Sequence, residues 1–238
     1  MCAVLYTGRM NAGRTARDRA RAELTQEIKD EARRQLAVDG AQKLSLRSVA
    51  RALGMVSSAI YRYFPSRDDL LTALIIDAYN AIGDAAERAA VGETPREKWI
   101  AVYHAVREWA RANPHEYALI YGSPIPGYQA PQDTVVAAGR APLTLLGILG
   151  EGELKPPLAG PPLTEGLAAQ LAARDFALDL SAETVNRALV AWSQLFGMLT
   201  FELFGQFVGS VDPADEFFAH AAEQMADFVG LTGNVSNR

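Results

Sequence analysis

Cysteine and long apolar runs are both nearly missing from this sequence. Its 238 residues include one cysteine, Cys2, which excludes a disulfide framework or a multi-cysteine metal site within one chain. This usage is typical of the reducing cytosol, so we expect a cytoplasmic location. No stretch approaches 18 apolar residues, so we expect no membrane-spanning helix. The opening MCAVLYTGRM is too short and too polar for a signal peptide.

The usual motifs of enzymes are also missing. The sequence has no G-x-S-x-G, no phosphate-binding P-loop and no G-x-G-x-x-G dinucleotide fingerprint. The three histidines, His104, His115 and His220, are too scattered for a metal motif at the sequence level. The sequence therefore predicts no catalytic residues, no metal and no cofactor.

Positive charge is concentrated at one end of the chain. The formal net charge is −5, but residues 1–69 hold 13 Lys and Arg against 8 Asp and Glu, whereas residues 70–238 hold 10 against 20. A basic first segment on an acidic body indicates that only the first segment approaches phosphates.

Apolar residues recur at helical spacing and never alternate with polar ones for long, as in Leu24, Ile28, Ala32 and Leu36. Ser66 and Thr94 are typical helix N-caps, and Pro95 suits the first helical position. The sequence therefore predicts an all-α fold of nine or ten helices. The longer helices are expected over 18–38, 66–89, 95–113, 134–149, 182–206 and 213–229.

Residues 44–71, LSLRSVARALGMVSSAIYRYFPSRDDLL, have the pattern of a helix-turn-helix. The first short helix has an apolar stripe at spacing i, i+3, i+4, i+7, formed by Leu46, Val49, Ala50 and Leu53. Gly54 permits a sharp left-handed turn. Ile60 and Phe64 lie on the inner face of the second short helix, which leaves its polar residues outward.

A short helix with one apolar and one polar side suits the major groove of DNA, which is about 12 Å wide. Small residues at its start let the backbone approach the bases, and tyrosine and arginine reach flanking phosphates. By pattern alone, a helical hairpin with a solvated polar face remains an alternative.

At these positions the sequence resembles the TetR family of bacterial transcriptional repressors, over about residues 20–75. The matching residues are Ser45, Arg47, Ala50, Gly54, Ile60, Tyr61, Phe64, Arg67, Leu70 and Leu71. The segment WSQLFG at 192–197 is similar to a C-terminal domain type with a Trp-His-Gly signature. Phe196 stands where that signature has histidine.

The resemblance implies roles for individual residues. The residues at positions that face bases are Arg47, Ser57, Ser58, Ala59 and Arg62. The residues at phosphate-contacting positions are Ser45, Tyr61, Tyr63 and Arg67. Tyr63 replaces the commoner histidine, Arg67 replaces the commoner lysine, and Val56 stands where a capping serine or threonine is usual.

The resemblance also guides the division of the chain. We expect a flexible basic arm at 1–17, a helix-turn-helix domain at 18–65, an effector-binding and dimerisation domain at 66–230 and a tail at 231–238. The predicted arm and the start of the first helix contain four arginines, which are Arg14, Arg17, Arg19 and Arg21. They either follow the DNA backbone or minor groove or belong to a solvated helix start.

The body of a TetR-like protein is expected to enclose an apolar cavity for an effector, with a few placed polar groups. The candidate lining residues are Tyr103, Arg107, Tyr117, Tyr121, Trp192 and Phe196. For Arg107 the alternatives are a pair with an acidic effector and a surface salt bridge to a nearby glutamate. The effector is expected to be apolar or aromatic.

The last two helices are apolar on more than one face, which predicts a four-helix interface in a homodimer. The candidate interface residues are Leu189, Leu195, Leu199, Leu203, Phe217 and Met225. A dimer would place two reading helices about 34–36 Å apart on a palindromic operator. The sequence thus predicts a ligand-responsive transcriptional repressor that binds double-stranded operator DNA. The alternatives are an activator, a regulator without effector, or a helical enzyme or carrier whose hairpin is only structural.

Overall fold

The computed structural model describes residues 16–155, 162–173 and 179–231, and these residues form α-helices and no strand. The helices are α1 (Ala16–Asp39), α2 (Leu46–Ala52), α3 (Arg67–Ala89), α4 (Pro95–Ala112), α5 (Pro114–Tyr121), α6 (Thr134–Leu149), α7 (Glu165–Ala172), α8 (Ala182–Leu203) and α9 (Ala214–Phe228). The expected all-α class is confirmed. The sequence did not predict α7, a short helix after a proline-rich segment.

The chain divides into two compact units, with the boundary between Leu70 and Leu71. This boundary falls inside the first turn of α3, whereas the sequence placed it before that helix. We call the unit up to Leu70, which the sequence predicts to bind DNA, the DNA-binding unit, and we call the rest the body.

The DNA-binding unit is built from α1, α2 and the segment before α3. The packing of α1 against α2 buries a core that includes Ile28, Val49, Ile60 and Phe64. Gly54 has φ of +66°, so the sharp turn after α2 uses the left-handed conformation expected there.

In the body, α4 packs against α5, α6, α8 and α9. The reason lies in its sequence, since the buried side chains of α4 recur at helical spacing. They are Trp99, Val102, Tyr103, Val106, Arg107 and Ala110. The helix begins where the sequence predicts. Thr94 accepts a hydrogen bond from the Glu97 amide, Glu97 bonds back to the Thr94 amide, and Pro95 follows the cap.

Two partly buried arginines connect helices of the body through hydrogen bonds and ion pairs. Arg140 on α6 donates to Glu87 Oε1 at 2.8 Å and to Asn80 Oδ1 at 3.0 Å, and also bonds Asp84. All three acceptors lie on α3. Gly83 allows this approach, because a Cβ there would lie 2.8 Å from the Arg140 Cβ.

The second connection joins the first turn of α4 to the end of α9. Arg96 donates to Asp227 at 2.5 Å and to the Leu231 carbonyl at 2.5 Å, and it also bonds Glu223. Among the residues that the structure describes, no helix is long and apolar enough to cross a membrane.

Candidate functional site

The DNA-binding unit has an outer polar face above a buried apolar floor. Ile60 is fully buried and Phe64 nearly so, whereas Arg47, Ser57 and Ser58 are exposed. Tyr61 is 43% exposed. Of the remaining candidates, Arg62 is exposed and the half-buried ones are Ser45, Ala59, Tyr63 and Arg67. The structure thus brings the sequence-predicted contacts together on one small unit.

The second short helix expected from the sequence is only partly formed. Residues 57–59 are turns, and Ile60–Arg62 is a single turn of 3-10 helix. The amide of Tyr63 donates to the Ile60 carbonyl at 2.9 Å, which is the three-residue spacing of a 3-10 turn. The 3-10 turn has no side-chain cap, and Val56, ahead of the turns, has no hydroxyl to provide one. This fits a segment too short and too weakly capped for a regular α-helix.

Arg67, a predicted phosphate contact, has four acceptors within the unit, which are the Asp68 carboxylate at 3.5 Å and three backbone carbonyls. Its guanidinium donates to the carbonyls of Leu44 at 3.1 Å, Ala41 at 2.8 Å and Gln42 at 3.5 Å. These carbonyls belong to the loop between α1 and α2, which contains a short 3-10 helix (Ala41–Lys43). The side chain therefore holds this loop to the start of α3, a role that the sequence did not suggest.

We call residues 57–63, which contain these turns and the 3-10 turn, the recognition segment, and Arg21 also has a partner in it. Its Nη2 donates to the Arg62 carbonyl at 3.1 Å, and its guanidinium carbon lies 5.6 Å from the centre of the Tyr63 ring. This distance is within the range of a cation–π contact. Arg21 thus connects α1 to the end of the 3-10 turn. Arg14, another arginine of the predicted arm, lies outside the described residues.

Four of the six candidate pocket residues form one group with a tyrosine of α3. We call Tyr79, Tyr117, Tyr121, Trp192 and Phe196 the aromatic cluster. Its ring centroids lie 4.0 Å apart for Tyr121 and Phe196, 4.2 Å for Trp192 and Phe196, 5.3 Å for Tyr117 and Tyr121, and 6.0 Å for Tyr79 and Tyr121. The cluster joins α3, α5 and α8.

The polar groups of the aromatic cluster are unevenly satisfied. The Tyr117 hydroxyl donates to the Phe196 carbonyl at 3.0 Å and lies 2.9 Å from Thr200 Oγ1. Within the described residues, the Tyr121 hydroxyl has no hydrogen-bond partner. Burial raises the pKa of Tyr121, and the neighbouring Tyr79 and Tyr117 raise it further. A tyrosine hydroxyl is protonated at neutral pH even without this shift, so it can donate to a bound molecule.

The other two candidate pocket residues belong to a separate group. Tyr103 stacks on Trp99 at 5.3 Å and donates to the Ala191 carbonyl at 2.9 Å. Arg107 is buried. It donates twice to Glu202 at 2.8 Å and once to Asp215 at 2.6 Å.

The guanidinium of Arg107 also lies 4.7 Å from the Phe218 ring. With two carboxylates and an aromatic face already in contact, it has little capacity left for an acidic effector. The ion pair that the sequence offered as the alternative is present, and its arginine is buried while Glu202 is half-buried and Asp215 is exposed.

The candidate dimer residues fall into two sets. Leu195 and Leu199 are fully buried within the protomer, so their side chains offer no surface to a partner chain. Leu203 and Met225 are half-buried, and Leu189 and Phe217 are exposed. An exposed apolar face does exist on α8, but it includes residues that the sequence did not single out.

This exposed face of α8 contains Leu189, Val190 and Phe201, which are 46%, 48% and 50% exposed. Gly197 lies on the same face, and no atom lies within 4 Å of the position that its Cβ would take. A glycine between exposed apolar side chains lets a second helix approach closely. The periodicity of α8 could not reveal this face, because apolar residues occur on several of its sides.

In the part of the chain that the structure describes, no group of three or more His, Cys, Asp and Glu side chains is arranged to hold a metal ion. His104 packs its ring edge-on against Phe218 at 5.5 Å, which is a packing contact.

Two family models match the sequence over the regions just described. Residues 28–74 match the model described as bacterial regulatory proteins, tetR family. Residues 99–225 match the model described as tetracyclin repressor-like, C-terminal domain. The Trp-His-Gly type expected for the body is not confirmed by this match.

Similar proteins are found among curated sequences and solved structures. The HTH-type transcriptional regulator Rv1816 of Mycobacterium tuberculosis is 39% identical over 199 residues, which cover 79% of this chain and 84% of the relative. The crystal structure of a protein described as regulatory, SCO4313, has a TM-score of 0.76 and 34% identity, covering 90% of this chain and all of the other. PfmR, a TetR family regulator of Thermus thermophilus, shares the fold at a TM-score of 0.54 and 18% identity, over 87% of this chain and 99% of that one.

Proposed function

The chain belongs to the TetR family of bacterial regulatory proteins, and from that premise we propose how this DNA-binding transcriptional regulator works. It is a repressor that binds a palindromic operator as a homodimer and leaves the operator when a small molecule binds the body. The observation that carries the proposal is the exposed polar face of residues 45–63 above the buried Ile60 and Phe64. No enzymatic role is proposed, because the family is one of regulators.

The DNA contacts divide by chemistry. The side chains proposed to face bases belong to Arg47, Ser57, Ser58, Ala59 and Arg62. Ser45, Tyr61 and Tyr63 are proposed to contact phosphates. Arg47 supports this division best, because it is exposed and has no acidic partner among the described residues. For Arg67, a phosphate contact competes with the three carbonyls that it already binds.

The aromatic cluster is the proposed effector site. Its rings offer apolar faces, and the unpaired Tyr121 hydroxyl offers one directional hydrogen bond, which is the usual make-up of a small-molecule site. An apolar or aromatic effector with one acceptor group fits this chemistry. Tyr103 and Arg107 are less suited, because their polar groups are already bonded.

Communication with DNA is proposed to run through α3. This helix begins in the DNA-binding unit and carries Tyr79, whose hydroxyl lies 3.4 Å from the Ile120 carbonyl and whose ring contacts Tyr121. An effector that separates these rings changes the contacts of α3. If the effector is to lower the affinity for DNA by about a hundredfold, the coupling free energy between the two sites must be about 2.7 kcal/mol.

Dimerisation is proposed to use the exposed face of α8. A second copy would cover Leu189, Val190 and Phe201, and Gly197 would let the two α8 helices cross at short distance. Phe217 on α9, 41% exposed, extends the apolar surface. The buried Leu195 and Leu199 support the face from behind.

The test is a fluorescence-anisotropy titration of the purified protein with the DNA upstream of its own gene, at two salt concentrations. We expect binding that weakens with salt, and a loss of about a hundredfold in the double variant Arg47→Ala, Tyr61→Ala, since each lost base or phosphate contact costs about 1–3 kcal/mol. The exposed Arg88 of the body provides the control variant, Arg88→Ala. Equal affinity of wild type, double variant and control would disprove the proposed DNA face.

A further inference from the structure

Arg187, in the first half of α8, is a buried arginine with almost no hydrogen-bonding partner. The residue is 7% exposed. Its Nη1 lies 3.4 Å from the Phe228 carbonyl oxygen, and its Nε is buried without an acceptor. Among the described residues, no carboxylate lies within ion-pair distance of this side chain. A guanidinium carries five N–H donors, so most of them are unused here.

The other buried or half-buried arginines of the body show that this is an exception. Arg107, Arg96 and Arg140 each contact two carboxylates. Removing a charge from water is costly, and the cost is recovered only by a counter-charge with good hydrogen-bond geometry. One long bond to a neutral carbonyl does not supply this. The position of Arg187 therefore calls for an anion.

A second unpaired donor belongs to the neighbouring helix. Trp99 on α4 is fully buried, and its indole Nε1 has no acceptor. One turn before it, Arg96 donates to the Leu231 carbonyl after α9, while Arg187 reaches Phe228 at the end of α9. The ends of α4, α8 and α9 therefore meet here.

A neighbouring contact shows how far along α4 Trp99 lies, relative to the position of Arg187 on α8. Tyr103, one turn after Trp99, bonds the Ala191 carbonyl, one turn after Arg187. Trp99 and Arg187 thus stand at corresponding heights on α4 and α8. The surrounding side chains are apolar, since Val229 and Leu231 are buried in the same core.

We propose that Arg187 anchors a binding site for a small carboxylic acid with an apolar body. The planar fork of a guanidinium matches the two oxygens of a carboxylate, and the Trp99 indole supplies a further donor. Unpaired donors without a spare carboxylate suit an anion and exclude a cation. The apolar surroundings suit the hydrocarbon part of the acid. This site is separate from the aromatic cluster.

Binding of the acid does not depend on the proposed function. Only its consequence does, because an acid bound here regulates transcription only if the protein also responds to effectors on DNA. Direct binding is therefore measured without DNA, and operator release is measured afterwards with the same acids. Failure of the first measurement overturns the acid site, whereas failure of the second alone concerns the effector response.

The experiment is isothermal titration calorimetry of the full-length protein with acetate, benzoate and octanoate, each against its uncharged amide at equal ionic strength. We expect one acid per chain and a clear preference of the wild type for at least one acid over its amide. Arg187→Met should lower the binding affinity for that acid by at least about thirtyfold, which is the usual effect of truncating one member of a buried charge pair. Arg88→Met, a change at an exposed arginine, should leave binding unchanged.

Two further measurements keep the outcome decisive. Arg187→Lys keeps the charge but loses the planar fork, so it should fold and bind the acid more weakly than wild type. Without ligand, Arg187→Met should melt no lower than wild type, because it removes an uncompensated buried charge. The proposal is overturned if no acid is preferred over its amide, if the preference survives in Arg187→Met, or if this variant melts several degrees lower and thereby identifies Arg187 as a cap of α9.

Discussion

Replacement of Arg67 by methionine distinguishes two roles for this side chain. One is hydrogen bonding to carbonyls within the protein, which we call the internal tie, and the other is a contact with a DNA phosphate. The guanidinium donates to the carbonyls of Ala41, Gln42 and Leu44, and its side chain is 30% exposed. Hydrogen bonds from charged donors contribute about 1.5–3 kcal/mol when buried. Because Arg67 is partly solvated, we expect the variant to lose about 2 kcal/mol of unfolding free energy in total.

The effect on DNA binding has a different signature for each role. The logarithm of the binding constant falls with the logarithm of salt concentration by about 0.9 for each phosphate that the protein neutralises. An internal tie leaves this slope unchanged and lowers affinity at every salt concentration. A phosphate contact lowers the slope by about 0.9 for each chain bound. From the three carbonyl contacts we expect an unchanged slope.

The assay is anisotropy at four or more salt concentrations, with urea unfolding of the same samples. Arg47→Met is the matched control, because Arg47 is exposed and is proposed to reach the DNA. It should lower affinity at little cost in stability. A reduced slope in Arg67→Met together with wild-type stability would refute the internal tie, and so would wild-type behaviour in both measurements.

The remaining predictions concern the body. Phe201→Glu should convert the proposed dimer to a monomer in analytical ultracentrifugation, because a charge would be placed on the exposed apolar face of α8; a dimer of wild-type strength would contradict the proposed interface. Arg107→Met should lower the unfolding free energy by about 3 kcal/mol in urea, because it leaves the half-buried Glu202 beside Asp215 without its main counter-charge; a loss below about 1 kcal/mol would show that the pair is of surface strength. Hydrogen bonds and charge from Arg107 hold the pKa of Asp215 below its usual range, so this part of the stability is present above the unfolded pKa near 4 and is lost as pH falls through the lower folded pKa. Acid unfolding of Arg107→Met should lack this contribution, and identical acid profiles would contradict it. Thr94→Ala should cost about 1 kcal/mol by removing the cap of α4, with the nearby Glu93→Ala as the control that should not.

Much of the fold could be predicted from the sequence because its signals are local. The Thr94 cap and Pro95 act within one turn, so the start of α4 agrees with the sequence. The left-handed Gly54 was expected for the same reason. The recognition segment was harder, because its weak capping leaves turns and a 3-10 helix where an α-helix was expected.

The candidate site depended on contacts between distant parts of the chain. Helical spacing shows which residues share a face, but it does not show which other helix covers that face. Leu195 and Leu199 therefore looked like interface residues although they belong to the core of the protomer. The six pocket candidates separated into two groups for the same reason. The carbonyl partners of Arg67 could not be foreseen, because backbone acceptors leave no trace in residue identity.

The boundary between Leu70 and Leu71 has a practical consequence for recombining this protein with its relatives. The boundary lies within α3, which runs from Arg67 to Ala89. A helix turns by 100° and rises 1.5 Å with every residue, so a fusion point inside α3 tolerates exchange of residues but not a change in their number. Chimeras that give the body a new DNA specificity must therefore be joined in helical phase. A segment cut at residue 70 would keep only four residues of α3, too few to form a helix alone.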